Sequence, residues 1–122
     1  MRKGKILILE DDAAVAKAYA AALSEDGNDV TVCTSFEDAR EQLRHQCPDA
    51  VLTDIRVGQY NGLQLALLYR AMCPDGRVVV VTGFDDNVMR KEVLNLGGEF
   101  LVKPVSLAQL RTLFASPRLA AH

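Results

Sequence analysis

The sequence predicts an α/β protein with a doubly wound, parallel, five-stranded sheet, in which strands and helices alternate as five βα units. The first observation is a series of short apolar runs, near residues 5–9, 29–33, 49–53, 77–82 and 99–102. The second is that these runs are continuously apolar, as in residues 78–81, which is typical of strands covered on both faces. Strand–helix alternation predicts right-handed crossovers and an open sheet.

Five amphipathic helices are predicted after these strands, near residues 13–25, 36–46, 61–73, 86–96 and 106–115. Apolar residues recur in them at three- and four-residue spacing, so each helix has one face that can cover the sheet. These stripes are Phe36, Ala39 and Leu43; Leu65, Leu68 and Met72; Met89, Val93 and Leu96; and Leu107, Leu110 and Phe114. The predicted N-caps are Ser35, Ser106 and either Asp85 or Asp86, and the predicted helix-closing glycines are Gly27 and Gly97.

Length and charge indicate one ordinary globular domain. The 122 residues carry a formal net charge of −2, with acids and bases mixed along the chain. This pattern argues against a nucleic-acid-binding or anionic-membrane-binding surface. No apolar run approaches the ~20 residues of a membrane span, so the protein is expected to be cytoplasmic. The core is predicted over about residues 5–115, with 116–122 as a tail or the start of a linker.

The three cysteines do not form a recognisable pattern. Cys33, Cys47 and Cys73 are odd in number and widely spaced, with no CxxC pair. The sequence therefore predicts reduced, buried or half-buried side chains, and neither a disulfide framework nor a zinc site.

Polar side chains follow four of the five predicted strands. Glu10 and Asp11 follow the first strand, Asp54 the third, Thr82 the fourth and Lys103 the fifth. Because ligands bind beyond the carboxyl ends of the strands in open parallel sheets, these groups are expected to share one pocket.

This combination of groups indicates phosphoryl chemistry. Clustered carboxylates repel one another, so they take up a proton or a cation, and Mg²⁺ suits oxygen ligands. Asp54 stands alone between apolar residues and is the predicted nucleophile, which would form an acyl phosphate. Lys103 would offset negative charge, and the Thr82 hydroxyl would donate to a phosphoryl oxygen. Taken singly, each residue has a simpler reading: Asp11 or Asp12 would merely cap the first helix.

Several motifs resemble the receiver domain of two-component response regulators. They are residues 6–12, Asp54-Ile55-Arg56 with Asn61-Gly62, Thr82-Gly83, and residues 100–104. The resemblance covers nearly the whole chain and implies one receiver domain in residues 1–122, with the flavodoxin-like strand order 2-1-3-4-5. It also implies a signalling module that accepts a phosphoryl group from a histidine kinase phosphohistidine or a phosphotransfer protein, and that is not an enzyme with a separate substrate.

The resemblance implies a metal site around the phosphoacceptor. Asp54 would accept the phosphoryl group, Asp11 would bind Mg²⁺ directly, Glu10 would bind it through water, and Arg56 would offer its backbone carbonyl. An alternative alignment places the acid pair at Asp11 and Asp12. A further hypothesis is that the Arg56 guanidinium pairs with Asp11 or Asp12 when the metal is absent.

The resemblance also implies a switch. Lys103 would contact the phosphoryl group, and the peptide bond between Lys103 and Pro104 would be cis. Thr82 and Phe100 would form the switch pair, the Phe100 ring turning inward when Thr82 moves toward the phosphate. Gly83, where the family commonly has Ala, would leave the entrance to the site wider.

The family's output surface implies the partners. A homodimer or an effector is expected to use the fourth helix, fifth strand and fifth helix, with contacts around Met89, Val93, Phe100 and Leu107.

Three other functions compete with this one. A Mg²⁺-dependent aspartyl-phosphate phosphohydrolase would have a second Asp at the position of Arg56. A flavin- or dinucleotide-binding module would have a glycine-rich loop at Glu10-Asp11-Asp12. The third is a phospho-independent receiver-like binding module. The one observation against it is that all the residues expected for phosphorylation are present.

Overall fold

The structure is a computed structural model that describes residues 4–57 and 60–115, and it contains five βα units. The strands of the main sheet are β1 (Lys5–Leu9), β2 (Asp29–Cys33), β3 (Ala50–Asp54), β4 (Arg77–Thr82) and β5 (Glu99–Val102). The helices are α1 (Ala13–Glu25), α2 (Phe36–His45), α3 (Gly62–Met72), α4 (Asn87–Asn95) and α5 (Leu107–Ala115). Between β3 and α3, Arg56–Val57 and Tyr60–Asn61 pair as an antiparallel hairpin. The predicted tail at residues 116–122 lies outside the described residues.

The main sheet is parallel and has the order β2-β1-β3-β4-β5. The predicted fold class and strand order are therefore confirmed. The register places Asp54 of β3 beside Val81 of β4, and Thr82 beside Val102 of β5. Because all five strands run the same way, their carboxyl ends meet at one edge of the sheet.

Two apolar layers cover the two faces of the sheet. Alternate residues of a strand point to opposite faces, so Ile6 and Ile8 of β1 pack with α1 and α5, in a layer that contains Leu23 and Leu110. Residues of the opposite parity pack with α2, α3 and α4, in a layer that contains Tyr69. Strands β1, β3 and β4 are buried on both faces, as their continuously apolar sequences predict.

The edge strand β2 departs from that prediction. Cys33 is buried, but Thr31 and Val32 are exposed, because an edge strand has a neighbour on one side only and its helices cover it incompletely. The stripes of α3 and α5 are also narrower than predicted: Met72 is 41% and Leu107 is 42% exposed. Both residues lie in the terminal turns of their helices, where the helix extends past the sheet.

The predicted helix ends agree with the structure. Ser35 and Asp86 are N-caps whose side chains accept backbone N–H groups of the first turn. Ser106 accepts from the N–H of Gln109, whose side chain accepts from the N–H of Ser106 in return, which is a capping box. Gly27 and Gly97 have φ values of 95° and 73° after α1 and α4, where an αL residue closes a helix.

The prediction about the cysteines is wrong for two of the three. Cys33 is a buried free thiol, but Cys47 and Cys73 form a disulfide. They lie in the loops before β3 and β4, and these strands are neighbours, so residues distant in sequence meet at the amino edge of the sheet. None of the described helices is both long enough and apolar enough to cross a membrane.

Candidate functional site

The polar groups at the strand ends converge on one pocket at the carboxyl edge of the sheet. Lys103 Nζ lies 2.7 Å from Asp54 Oδ2 and 3.4 Å from Glu10 Oε1. Carboxylate oxygens of Glu10, Asp11 and Asp54 lie within 4.8 Å of one another, a grouping that could hold a metal ion. The structure thus brings together the four charged residues that the sequence singles out. With all four ionised, the pocket has a formal charge of −2.

Glu10 is the most buried of these charged groups, with 3% of its surface exposed. Its pKa is raised from 4.5 to about 7, first by burial and then by the hydrogen bond and charge of Asp54, while Lys103 opposes the shift. A carboxyl group with this pKa is partly protonated at neutral pH. Three carboxylates beside one lysine also leave negative charge that a bound cation could offset.

Lys103 is held in position by backbone contacts. Its N–H donates to Thr82 O at 2.7 Å, and the following Lys103–Pro104 peptide bond is cis. Burial by itself would lower the pKa of the Lys103 ammonium, but its hydrogen bond to Asp54 and the charges of Asp54 and Glu10 outweigh this and raise it. Lys103 is consequently a fixed cation beside Asp54.

Asp12 has a separate role from its two acidic neighbours. Its Oδ1 accepts from the N–H groups of Ala14 and Val15 at 3.0 and 3.2 Å, so it is the N-cap of α1. The metal-competent group contains Glu10 and Asp11 and not Asp12. The geometry therefore favours the alignment that pairs Glu10 with Asp11 over the one that pairs Asp11 with Asp12.

The backbone of Asp54 lies directly against the first residue of α3. A Cβ atom built on Gly62 would lie 1.7 Å from Asp54 O and 2.8 Å from Thr53 Oγ1. The Gly62 N–H also donates to Ile55 O at 2.6 Å. Only glycine allows this approach, so Gly62, which the sequence showed only as part of a motif, fixes the position of Asp54.

Thr82 lies at the end of β4 and is buried. Its hydroxyl oxygen accepts from the Phe84 N–H at 3.2 Å, which links it to the loop before α4. A Cβ atom at the next residue, Gly83, would meet no heavy atom within 4 Å. The space beside Gly83 is therefore open, and the wider entrance predicted there stays a prediction.

One charged residue that the sequence did not single out, Arg90, contacts the predicted switch residue Phe100. The Arg90 guanidinium lies over the Phe100 ring, 4.7 Å from its centre. Arg90 also forms a 2.7 Å ion pair with Asp85 in the loop that follows Thr82. The contact requires one turn of α4 to face β5. No local sequence signal indicates this orientation of the helix.

The predicted output surface needs one correction. Val93 is 0% exposed and packs in the core beneath α4, so it is unavailable to a partner. Met89 and Phe100 are partly buried beside that core, and Leu107 is exposed. The side chain of Arg56, and with it the predicted pairing to Asp11 or Asp12, lies outside the described residues.

Fold and pocket together define a doubly wound α/β domain with carboxylates and a lysine at the carboxyl edge of its sheet. Residues 6–115 match the family described as response regulator receiver domain. The chain therefore belongs to that family, whose members act in two-component systems. These domains transmit signals and do not turn over a separate substrate.

Individual relatives agree with this family. The chain is 32% identical over 111 residues to the alginate biosynthesis transcriptional regulatory protein AlgB of Pseudomonas aeruginosa, covering 90% of this chain and 25% of AlgB. A CheY-like receiver domain from Methanospirillum hungatei superposes with a TM-score of 0.86 at 22% identity, over 93% and 92% of the two chains. A response regulator from Burkholderia pseudomallei, described with a phosphorylated aspartic acid, a calcium ion and citrate, has a TM-score of 0.80 at 23% identity, over 93% and 69%. The chain thus spans about a quarter of the curated relative.

Proposed function

We propose that the protein is a phosphorylation-switched receiver that accepts a phosphoryl group on Asp54. The observation that supports this most strongly is the 2.7 Å contact between Lys103 Nζ and Asp54 Oδ2 within a pocket of three carboxylates. An ammonium at that distance can stay hydrogen-bonded to the carboxylate oxygen during the reaction. It can also neutralise part of the charge that the phosphoryl group brings.

The transfer is a displacement at phosphorus. An Asp54 oxygen attacks the phosphorus of a phosphohistidine, an O–P bond forms, and the P–N bond breaks, with its electron pair left on the donor imidazole. Phosphoryl transfer depends mainly on positioning and charge neutralisation. Lys103 supplies one fixed positive charge, and the buried Thr82 hydroxyl is the group that would donate to a phosphoryl oxygen after the loop adjusts.

The residues present fit Mg²⁺. Glu10, Asp11 and Asp54 offer carboxylate oxygens within 4.8 Å of one another, and the Arg56 carbonyl is proposed as a further ligand, with Glu10 acting through water. Mg²⁺ prefers such oxygen donors and, when bound, would neutralise phosphoryl oxygens. Three carboxylates beside one lysine leave negative charge that such a cation would offset. The divalent cation named with the Burkholderia regulator accords with this assignment.

The switch is proposed to run from Thr82 to Phe100. Thr82 Oγ1 bonds to Phe84 N–H, the same loop carries Asp85, Asp85 pairs with Arg90, and Arg90 lies over Phe100. A movement of Thr82 toward a phosphoryl group therefore disturbs the pairing that holds the aromatic ring. The release of Phe100 would change the surface formed by α4, β5 and α5.

That surface is the proposed contact for a second copy or an effector, with Met89, Phe100 and Leu107 at its apolar part. The phosphoryl donor is proposed to be a sensor histidine kinase or a phosphotransfer protein in the cytoplasm. Residues 1–122 are proposed to form one receiver domain, and the output of any longer protein is a separate question.

The test is intact-mass analysis after incubation with acetyl phosphate and Mg²⁺. Wild type should gain one phosphoryl group, and Asp54→Asn should gain none. The matched control is Asp12→Asn, which makes the same chemical change two residues from Glu10 and keeps an N-cap of equal strength; it should be phosphorylated like wild type. Phosphoryl addition to Asp54→Asn would move the acceptor elsewhere, and addition at the same rate in excess EDTA would contradict the metal assignment.

The output surface is tested with beryllofluoride, a phosphoryl mimic, by following the monomer–dimer equilibrium in sedimentation. Wild type should shift toward the dimer, and Leu107→Ser should shift less. An equilibrium that beryllofluoride leaves unchanged would rule out phosphorylation-driven dimerisation.

A further inference from the structure

A disulfide bond lies at the opposite edge of the sheet from Asp54. Cys47 and Cys73 are joined there, with their Cα atoms 5.9 Å apart, within the usual range for a disulfide. Each cysteine begins the same tripeptide, Cys-Pro-Asp, and each tripeptide leads into one of the neighbouring strands β3 and β4. The two sulfurs meet because equivalent loops enter neighbouring parallel strands.

The loops that carry the two cysteines are also held together without the S–S bond. Tyr69 Oη donates to Pro48 O at 2.6 Å, and Arg77 N–H donates to Asp49 O at 3.0 Å. The Tyr69 side chain is completely buried, and neither hydrogen bond involves a sulfur atom, so both can form in the reduced protein as well. The thiols of the reduced protein therefore remain close to each other, which favours closure over mixed disulfides.

The two sulfurs differ in access. Cys47 is exposed in the loop between α2 and β3, whereas Cys73 is 5% exposed. Both line an open surface groove together with Met72 and Asp75. Cys47 is the more exposed of the two residues and is therefore the expected point of attack for a small thiolate.

We infer that Cys47 and Cys73 form a reversible redox site, which exchanges with low-molecular-weight thiols and disulfides and so fastens or releases the ends of the β3–α3 crossover. In the reducing direction a thiolate attacks Cys47 Sγ, a mixed disulfide forms, and Cys73 leaves as a thiolate that takes a proton from water. A second thiolate then attacks the outer sulfur of the mixed disulfide and releases Cys47. Two thiols are oxidised to one small disulfide, and the protein disulfide is reduced to two thiols.

Cys33 is an internal control for this chemistry. It is a free thiol at the end of β2 and is 5% exposed. Burial and, to a smaller extent, the charge of Asp38 raise its pKa to about 11, so its thiolate is scarce at neutral pH. Reactivity is therefore expected at the Cys47–Cys73 pair and not at Cys33.

The redox site and the acidic pocket are connected through β3 but lie far apart. Asp54 ends a strand that starts at Ala50, so the two sites are separated by about 13 Å or more along the strand. The ring closed by the disulfide nevertheless contains Asp54, the hairpin and the whole of α3. Formation of the disulfide thus cross-links the two ends of the segment that carries Asp54, the proposed phosphoacceptor. The residues of the pocket are not modified.

The test equilibrates the folded protein with glutathione mixtures from fully reduced to mainly oxidised, quenches with acid, labels free thiols and maps the labels by mass spectrometry. Cys47 and Cys73 should gain labels together as reduced glutathione increases. In native labelling without acid, Cys33 should remain unlabelled. With oxidised glutathione, Cys73→Ser should accumulate a mixed disulfide on Cys47, and Cys47→Ser should accumulate roughly tenfold less on Cys73.

Hydrogen exchange supplies a readout that does not depend on labelling. The backbone amides of the non-proline residues in 46–49 and 73–76 should exchange roughly tenfold faster in the reduced protein, and Cys33→Ser should behave like wild type in both states. A pair that stays wholly oxidised or wholly reduced in every glutathione mixture would overturn the inference. Equal mixed-disulfide yields in the two single variants would overturn the assigned point of attack, and unchanged exchange would overturn the fastening role.

Discussion

Replacing Gly62 by Ala tests how the fold positions Asp54. The new Cβ would lie 1.7 Å from Asp54 O and 2.7 Å from Asp54 C, and both are backbone atoms that cannot rotate away. A normal contact requires α3 and the end of β3 to separate by more than about 1 Å. That movement also stretches the 2.6 Å hydrogen bond from Gly62 N–H to Ile55 O.

The expected cost follows from these two effects. Overpacking of this kind costs about 1–3 kcal/mol, and the weakened hydrogen bond adds about 1 kcal/mol. Gly62→Ala should therefore lower the free energy of unfolding by roughly 3 kcal/mol in urea denaturation. The carboxylate of Asp54 should also move relative to Lys103. Because a displacement of about 1 Å can cost 100-fold in rate, phosphorylation by acetyl phosphate should slow by roughly that factor.

Gly83→Ala is the matched control for this experiment. Gly83 also lies beside the pocket, but its Cβ would meet no heavy atom within 4 Å, so stability should stay within about 0.5 kcal/mol of wild type. The reasoning would be refuted if Gly62→Ala unfolded at the same urea concentration as wild type and was phosphorylated within twofold of its rate. Equal losses in the two variants would instead indicate a general sensitivity of the pocket to added volume.

Three further predictions concern charge, an aromatic contact and the disulfide. In EDTA, Glu10→Gln should be more stable than wild type by up to about 3 kcal/mol at pH 8, and the gain should shrink toward zero at pH 4.5. The folded-state pKa of Glu10 is raised to about 7, so wild type loses stability as the pH rises from 4.5 through 7. Glutamine does not titrate, so the variant does not lose stability in this way. Urea unfolding midpoints at several pH values measure the difference. Arg90→Met should remove the cation–π contact with Phe100, worth about 0.5–1 kcal/mol, and should tighten beryllofluoride binding about threefold in a calorimetric titration if the contact belongs to the unphosphorylated state. Reduction of the Cys47–Cys73 disulfide, with its sequence separation of 26, should lower the free energy of unfolding by about 3 kcal/mol in urea denaturation.

Each of these predictions has a distinct contradicting result. A stability difference between Glu10→Gln and wild type that does not change with pH would show that Glu10 does not titrate in this range. Unchanged or weaker beryllofluoride binding by Arg90→Met would place the Phe100 contact in the phosphorylated state or in both states. Equal urea midpoints for the oxidised and reduced proteins, checked against Cys33→Ser, would mean that the bond adds nothing to the loop contacts already present.

The predictable part of this fold is the part that local sequence determines. Continuously apolar runs gave the strands of the sheet, and capping residues such as Ser35 and Asp86 marked helix starts to within a residue. The pocket was predictable because parallel strands impose a common edge on residues that follow them. The strand order came from the resemblance to receiver domains, because strand lengths and hydrophobic patterns alone are compatible with more than one order of strands in a doubly wound sheet.

The features that were missed depend on three-dimensional register. The disulfide requires the loops before β3 and β4 to lie side by side, and the repeated Cys-Pro-Asp was the one signal in the sequence that could have indicated it. The contact of Arg90 with Phe100 depends on the rotation of α4 about its axis. Val93 was wrongly assigned to the output surface for the same reason. The short helix α4 has one face that covers the sheet and another that can meet a partner, and the sequence does not show on which face Val93 lies.

The pocket is assembled from residues far apart in sequence. Lys103 is separated from Glu10 by 93 positions and from Asp54 by 49. A nascent polypeptide therefore displays Asp54 on the ribosome well before the lysine that would serve it has been synthesised. Under the proposed function, a chain that has not reached Lys103 lacks the ammonium beside Asp54, so the domain becomes competent for phosphorylation only after β5 has been synthesised and has joined the sheet.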